Sequence, residues 1–376
     1  MKLLKNLFCC VLVFAMVLSL TACDGTDSAV QPEQSPEGDP QTTPVDEPAV
    51  TEEKIVITDQ LGKTIEFDEP PARLATTIMP FPYIFHAVMG NSEYMVGCNP
   101  SSMKAYEDSA LKYMYTNMAN ADTSWVDTSF VVNVEELMKL KPDVVFQWTH
   151  MPEEIEKMEA AGLKVIALKY GTLDDLEAWI RIISQLYQQE ERGEELISYF
   201  HESVDEVAQK IATLSPEDYP AIIQLYYDDL MVSGTGFGNY WVEQSGAVNP
   251  AEELAGDDRK VDMEQIYEWN PDILYIGNFI DIQPSDILDN KLEGQDWSLV
   301  QAVKDGEVYK IPIGGYRWDP PGVETPLMIK WLAKIQHPDL FADMDMRQEV
   351  IEFYKEVYHF DLTEEMLSEI LDDTQN

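Results

Sequence analysis

Apolar and polar positions follow one pattern twice along this chain. The segment Asn133-Val-Glu-Glu-Leu-Met-Lys-Leu-Lys, then Pro142-Asp143 and the apolar run Val144-Val-Phe146, returns as Asp262-Met-Glu-Gln-Ile-Tyr-Glu-Trp-Asn, Pro271-Asp272 and Ile273-Leu-Tyr275. The two copies are offset by a constant 129 residues. Each copy opens on a residue whose side chain can cap a helix, Asn133 or Asp262. A short amphipathic helix follows, and the proline ends it, because the residue before a proline avoids the α region. The apolar run after it reads as a buried parallel strand.

The flanking segments match as well. Arg73–Met79 and Pro220–Tyr226 read as strands before the two copies, and Gly162–Leu168 and Gly306–Pro312 as strands after them. A helix from about Pro152 to Ala161 precedes Gly162. Strands alternating with helices predict parallel sheets, and the two copies predict two similar α/β lobes. Between them, Leu173–Leu214 holds no proline and a single glycine, Gly193. Leu196, Ile197, Phe200, Val204, Val207 and Ile211 recur there at helical spacing. A helix over Glu190–Thr213 would span roughly 36 Å, enough to bridge two lobes. Leu327–Ile370 is again helical in pattern. The predicted divisions are an N-terminal lobe over 54–189, an interlobe helix over 190–214, and a C-terminal lobe with terminal helices over 215–376.

The beginning of the chain reads as an export segment. Lys2 and Lys5 precede an apolar run from Leu7 to Leu20. That run is short of the roughly 20 residues a membrane span needs and fits a signal peptide of residues 1–22. Leu20-Thr-Ala-Cys23 resembles the lipobox of bacterial lipoproteins, which implies cleavage before Cys23 and a lipid on its thiol. Residues 24–53 hold five prolines and nine acids with no basic or aromatic residue. Such a segment cannot bury enough apolar surface to order itself. Residues 23–53 are therefore expected to be a disordered tether, reaching roughly 30 Å as a coil. Once the signal is removed and Cys23 lipidated, only Cys98 remains free, so no intramolecular disulfide is expected, and Cys98 reads as a small buried apolar residue.

Composition narrows the function. The chain has 376 residues and a formal net charge of −44, which excludes nucleic acid held by a general basic face. No metal-spaced cluster of His, Cys, Asp and Glu, no nucleophile elbow and no catalytic Cys/His signature is present, so an enzyme is not expected.

In open α/β sheets, ligands bind beyond the carboxyl ends of the strands. The loops there are aromatic: Met79-Pro-Phe-Pro-Tyr83, Gln147-Trp148-Thr-His150, Lys169-Tyr170, Ser233-Gly-Thr-Gly-Phe237-Gly-Asn239, Gly277-Asn-Phe279 and Gly315-Tyr316-Arg317-Trp318. An aromatic cleft with few polar groups suits a bulky, partly apolar ligand. The candidate ligand contacts are Tyr83, Trp148, His150, Tyr170, Phe237, Asn239, Phe279, Tyr316, Arg317 and Trp318. Arg317, one of six arginines, is the one that falls in a predicted cleft loop. A single guanidinium favours a mildly charged ligand over a trianion. The spacing of Gly234, Gly236 and Gly238 makes no phosphate loop, because no Lys-Ser/Thr follows.

Ile57-Thr-Asp-Gln-Leu-Gly-Lys63, Pro70-Pro-Ala-Arg73, the two Pro-Asp strands and Trp297-Ser-Leu-Val-Gln-Ala-Val-Lys-Asp-Gly-Glu-Val-Tyr309 together resemble the class III substrate-binding proteins of ABC importers. These are the iron-complex, haem and vitamin B12 binding proteins, and the likeness covers about residues 54–376. It implies two Rossmann-like lobes with parallel sheets joined by one rigid helix, with the ligand cleft between them. It also implies capture of a metal chelate, a ferric siderophore first, without any cofactor, and delivery by a monomer to a membrane permease and its ATPase. Haem or a corrinoid, with Tyr83, His150 or Tyr316 as axial ligand, and molybdate or tungstate, held by Ser233, Thr235 and nearby glycines, are the alternatives on the same fold. The tail Trp331–Phe341 with Phe353-Tyr354 resembles iron-complex proteins and also relatives that bind molybdate or tungstate. In that family an acid on each lobe docks the permease, and Glu153 or Glu154 and Glu324 take matching surroundings. A surface sensor or adhesion lipoprotein, or a metal-dependent enzyme, is the alternative of another class.

Overall fold

The computed structural model of the protein describes residues 54–90, 93–227, 230–254, 256 and 258–371. The expected signal peptide, Cys23 and the expected tether lie outside the described residues. The described chain falls in one compact unit. A two-stranded antiparallel ribbon, β1 (Ile55–Thr58) and β2 (Thr64–Phe67), opens it. The N-terminal lobe continues with β3 (Leu74–Thr76), α1 (Phe81–Met89), β4 (Met95–Cys98), α2 (Pro100–Glu107), α3 (Leu111–Met114) and α4 (Val134–Leu140). It closes with β5 (Val144–Trp148), α5 (Pro152–Ala160), β6 (Val165–Leu168) and α6 (Leu173–Leu186). Its sheet runs β4-β3-β5-β6 and is parallel throughout.

After α7 (Glu190–Ile211), the second lobe holds β7 (Ile222–Tyr227), β8 (Met231–Ser233), α8 (Phe237–Gln244), β9 (Asp258–Lys260), α9 (Met263–Trp269) and β10 (Ile273–Ile276). α10 (Pro284–Leu288), α11 (Gln301–Asp305), β11 (Val308–Lys310) and the helices α12 (Thr325–Gln336), α13 (Met346–Val357) and α14 (Glu364–Leu371) follow. The sheet order is β11-β10-β7-β8-β9. Here the expectation of parallel sheets needs correction. β8 pairs antiparallel to both β7 and β9, because a tight turn at Leu230, with φ of 57°, returns the chain beside β7 without a crossover helix.

The internal repeat is exact at the backbone. Asn133 and Asp262 cap α4 and α9 through side-chain acceptors, and Lys141 and Asn270, again 129 residues apart, end the helices in the left-handed region. The aspartate of each Pro-Asp pair then ties the incoming strand. Asp143 accepts from the amides of Ala72 and Arg73 at 3.0 and 2.8 Å, and Asp272 from Ala221 at 2.8 Å. In both lobes the carboxylate thus sets the register of the strand pair at its entry.

Helix α7 packs against α6 on one side and α8 and α12 on the other. All six apolar positions predicted for its inner face are buried. At the α6–α7 crossing Gly193 is required, since a Cβ there would lie 2.5 Å from Ser184 Oγ and 2.8 Å from Ser184 Cβ. One apolar cluster runs from Ile55 through α7 to Ile370, and smaller clusters fill the far side of each sheet. Cys98 is buried and free, with its thiol pushed up to about 12 by desolvation.

Candidate functional site

The carboxyl ends of the strands of both lobes meet through side chains. Tyr83, expected in a loop, sits in the first turn of α1, because Pro82 suits the opening of a helix. Its ring stacks on Tyr316 of the other lobe at 5.1 Å between centroids, with the planes 16° apart. Its hydroxyl donates to the carbonyl of Pro321 at 3.5 Å, and the Tyr170 hydroxyl donates to the same carbonyl at 3.1 Å. Two phenols of the N-terminal lobe thus hold one carbonyl of the C-terminal lobe. Burial pushes both phenols well above their ordinary range, so they stay protonated donors. Gly322 makes the approach possible, because a Cβ on it would lie 1.3 Å from the Tyr83 oxygen.

Trp148 is the last residue of β5, not a loop residue, and is 5% exposed. It packs edge-on to Tyr170 at 5.7 Å and Phe130 at 5.9 Å, tilted against Trp179 at 5.8 Å, and stacks with His150 at 5.7 Å. His150 is exposed. Tyr170 leans on Trp179 from the other side. The indole of Trp179 is fixed by the carbonyl of Lys169 at 2.6 Å, so it is a framework ring. Within the second lobe, the Arg317 guanidinium lies over Phe279 at 4.6 Å and Tyr316 at 5.4 Å, with Nε donating to the carbonyl of Asn278 at 3.2 Å. Phe279 packs on Tyr226.

A groove between the lobes adjoins Arg317. One cavity of about 240 Å³ lies between Lys104 of α2, Asp108 at that helix's C-terminus, and Asp281, Lys310, Ile313 and Arg317. A second of about 240 Å³ shares Asp108, Lys310 and Ile313 with it and extends to Ser109 and α14. Lys310 faces inward. Its ammonium donates to the carbonyls of Gly277, Ile280 and Ile282 at 3.0, 2.8 and 3.0 Å, and desolvation brings its pKa down to about 8. It thereby shapes the loop that carries Asn278 and Phe279.

The predicted residues divide accordingly. Tyr83, Trp148, Tyr170, Phe279, Tyr316 and Arg317 come together, with His150 at their edge. Trp318 does not present a face to a ligand, being fully buried beneath the loop with its indole nitrogen near Gly314. Phe237 and Asn239 were expected in a loop but belong to α8, which starts after Gly236 at φ 104°. Asn239 donates to Glu243 and lines a separate depression with Pro216 and Tyr219.

The docking expectation for Glu324 is corrected. It is 1% exposed and accepts from the amides of Gly315 and Tyr316 at 2.9 and 3.3 Å. Burial raises its carboxyl to about 7, against those amides and the phenols of Tyr354 and Tyr358, which favour the ion. It anchors the Tyr316–Arg317 loop and cannot meet a partner protein. Glu154 is half-buried and accepts from Val132 N at 2.8 Å and Lys157 at 3.3 Å, while Glu153 is exposed in the first turn of α5. Gln224 escapes sequence reasoning altogether, and Asp319 enters it only as a structural partner for Arg317. Each is buried, with every side-chain polar atom unpartnered. No motif marks them, because only the packed loop brings Asp319 over β7.

Residues 85–313 match the periplasmic binding protein family, and the chain belongs to that family, whose members are solute-binding proteins of ABC transporters. It is similar to the molybdate-binding protein MolA of Haemophilus influenzae, 27% identical over 250 residues, 60% of this chain and 70% of that one. It is also similar to the iron(3+)-hydroxamate-binding protein FhuD of Bacillus subtilis, 26% identical over 205 residues, 52% of this chain and 64% of that one. The crystal structure of a periplasmic solute binding protein from Veillonella parvula superposes with a TM-score of 0.80 at 39% identity, over 86% of this chain and 98% of that one. The expected two-lobed fold is therefore the fold observed. Among the described residues no helix is long and apolar enough to cross a membrane.

Proposed function

We propose that this chain is an extracytoplasmic lipoprotein, anchored through Cys23, that captures a ferric siderophore between its lobes and delivers it to an ABC permease and its ATPase, with no catalytic step of its own. The observation that carries the reading is the interlobe wall of Tyr83, Trp148, Tyr170, Phe279 and Tyr316 with a single guanidinium, Arg317. Tyr83, Trp148 and Tyr316 are buried here, so these large rings would give contact area to a bulky chelate once the lobes part, and Arg317 gives one charge-assisted donor. The similarity to an iron(3+)-hydroxamate-binding protein points the same way. Glu153, exposed near the first lobe's strand ends, is the acid we assign to permease docking.

The similarity to a molybdate-binding protein favours a second reading, an oxyanion held beside Arg317. The buried carboxyl of Asp319 weighs against it, since an anion in the same desolvated space would be repelled. Thermal-shift titration of residues 24–376 with ferric siderophores, haem, cobalamin and molybdate separates the readings. A true ligand at 100 times its Kd stabilises the fold by about 2.7 kcal/mol. Trp148→Ala and Arg317→Ala are each expected to weaken binding of that ligand about tenfold while leaving the far-ultraviolet circular dichroism unchanged. Stabilisation by molybdate alone would overturn the siderophore assignment.

A further inference from the structure

Behind the tyrosine wall lies a polar pair that the ring contacts leave out. Asp319 is 3% exposed and Gln224, on β7, 2% exposed. Neither carboxylate oxygen of Asp319 has a hydrogen-bond partner, and neither amide atom of Gln224 has one. Both side chains converge on Gly277, where a Cβ would stand 3.0 Å from Asp319 Oδ2 and 3.5 Å from Gln224 Nε2. The glycine after β10 therefore keeps a side chain out of the space to which they point.

The neighbouring cations are engaged elsewhere. All three donors of Lys310 go to carbonyls. Arg317 lies over the rings of Phe279 and Tyr316 and donates to Asn278, and it makes no ion pair with Asp319. Both act on the Asp319 carboxyl only through space, the amides of Asp319 and Asn278 also lie close enough to favour its ion, and burial outweighs all of them, raising it to about 6. The phenols of Tyr83, Tyr316 and Tyr226 and the Asp319 carboxyl all act on the Tyr170 hydroxyl, so rings and carboxyl share one neighbourhood.

A buried carboxylate and amide without partners cost several kcal/mol in total. A positively charged N–H donor would satisfy the carboxylate, with Asp319 supplying the countercharge and the surrounding rings a cation–π face, while the Gln224 amide, which faces Gly277 with Nε2, offers Oε1 there only after a half-turn of its terminal group. A carboxylate accepts and does not donate, so Asp319 would repel an oxyanion at this point.

We propose that Asp319, flanked by Gln224, forms a buried acceptor subsite that receives a cationic, ammonium-bearing arm of the captured chelate. This rests on the reading of the protein as a chelate-binding protein and adds which chelates it selects. The ring wall and Arg317 hold the body of the complex, while the pair reads its pendant charge.

The test uses the full chain in mild detergent and two probes with identical iron coordination. One is a linear ferric trihydroxamate with a free primary amine, ferrioxamine B, and the other is the same complex with that amine acetylated. Titration of the intrinsic tryptophan fluorescence is expected to give at least tenfold tighter binding of the free amine. Asp319→Asn is expected to erase that preference by weakening the free-amine complex and leaving the acetylated one within twofold. Equal affinities of the unsubstituted chain for the two probes would overturn the subsite while leaving chelate binding intact, and this comparison needs no variant to fold. Binding of neither probe would overturn the chelate reading and the subsite with it.

Discussion

The residue whose behaviour depends most on its surroundings is Glu324. Its two backbone donors and two nearby phenols favour the ion, yet desolvation exceeds them and the carboxyl titrates near 7. Because the folded pKa lies above the ordinary value of 4.5, the group's contribution to stability is fully present below about pH 4.5 and is lost as the pH rises through 7. Asp319 acts in the same direction between 3.8 and about 6. Glu324→Gln, which stays neutral, should flatten the fall of Tm between pH 4.5 and 7, a difference of up to about 3 kcal/mol in unfolding free energy. Calorimetric Tm values across that range check this, and an unchanged slope would show that the loop is not tied through an ionising group. His86 runs the opposite way. Buried between Tyr115 and Tyr358, its imidazole is brought down to about 4 by desolvation, so it stays neutral and adds no charge beneath the site.

At the scale of elements, helix α7 carries the arrangement. Its inner stripe of Leu196, Ile197, Phe200, Val204, Val207 and Ile211 buries roughly 1.5–3 kcal/mol of apolar contact per fully buried side chain. Lys330 of α12 reinforces the joint by pairing with Glu349 of α13 at 2.6 Å and Glu206 of α7 at 3.7 Å. The α6–α7 crossing is so close that Gly193→Ala must push Ser184 aside. The gain of about 1 kcal/mol in helix propensity is expected to fall short of an overpacking cost of about 1–3 kcal/mol. The urea midpoint should therefore drop, and a rise would mean that the two helices separate without cost. The repeat shows why the elements recur. Asp143 and Asp272 each tie a strand entry, so the same Pro-Asp pair gives the same local geometry in both lobes.

At the scale of the molecule, the lobes are joined by α7 and also touch at the binding loops. Tyr83 and Tyr170 reach Pro321, and the amide of Ala110 donates to the carbonyl of Gly314 at 2.8 Å. Gly322→Val would place side-chain atoms where the Tyr83 hydroxyl lies. That variant is expected to hold the lobes apart, increase the radius of gyration in X-ray scattering and weaken ligand binding by more than tenfold, with helix content retained. An unchanged radius with unchanged affinity would show that the Tyr83 contact is not part of the closed arrangement.

The sequence by itself determined the elements whose causes are local: the two capped helices, the proline stops, the apolar strands after Pro142 and Pro271 and the stripe of α7. It also carried the family likeness and the five rings and one guanidinium that come together at the strand ends. Only the tertiary structure decided which side chains in the strand-end loops face the gap. Trp318 and Glu324 stand within a few residues of Arg317 yet turn into the core, because the loop folds back under Tyr83 and is tied by its own amides. The antiparallel β8 and the helix at Phe237–Gln244 were likewise hidden, since short apolar runs beside glycines fit several backbones until the sheet selects one. Gln224 carries no local signal at all, and Asp319 only that of a structural partner for Arg317. They come within reach of one another through a sheet and a loop almost a hundred residues apart, and only packing over Gly277 brings them together.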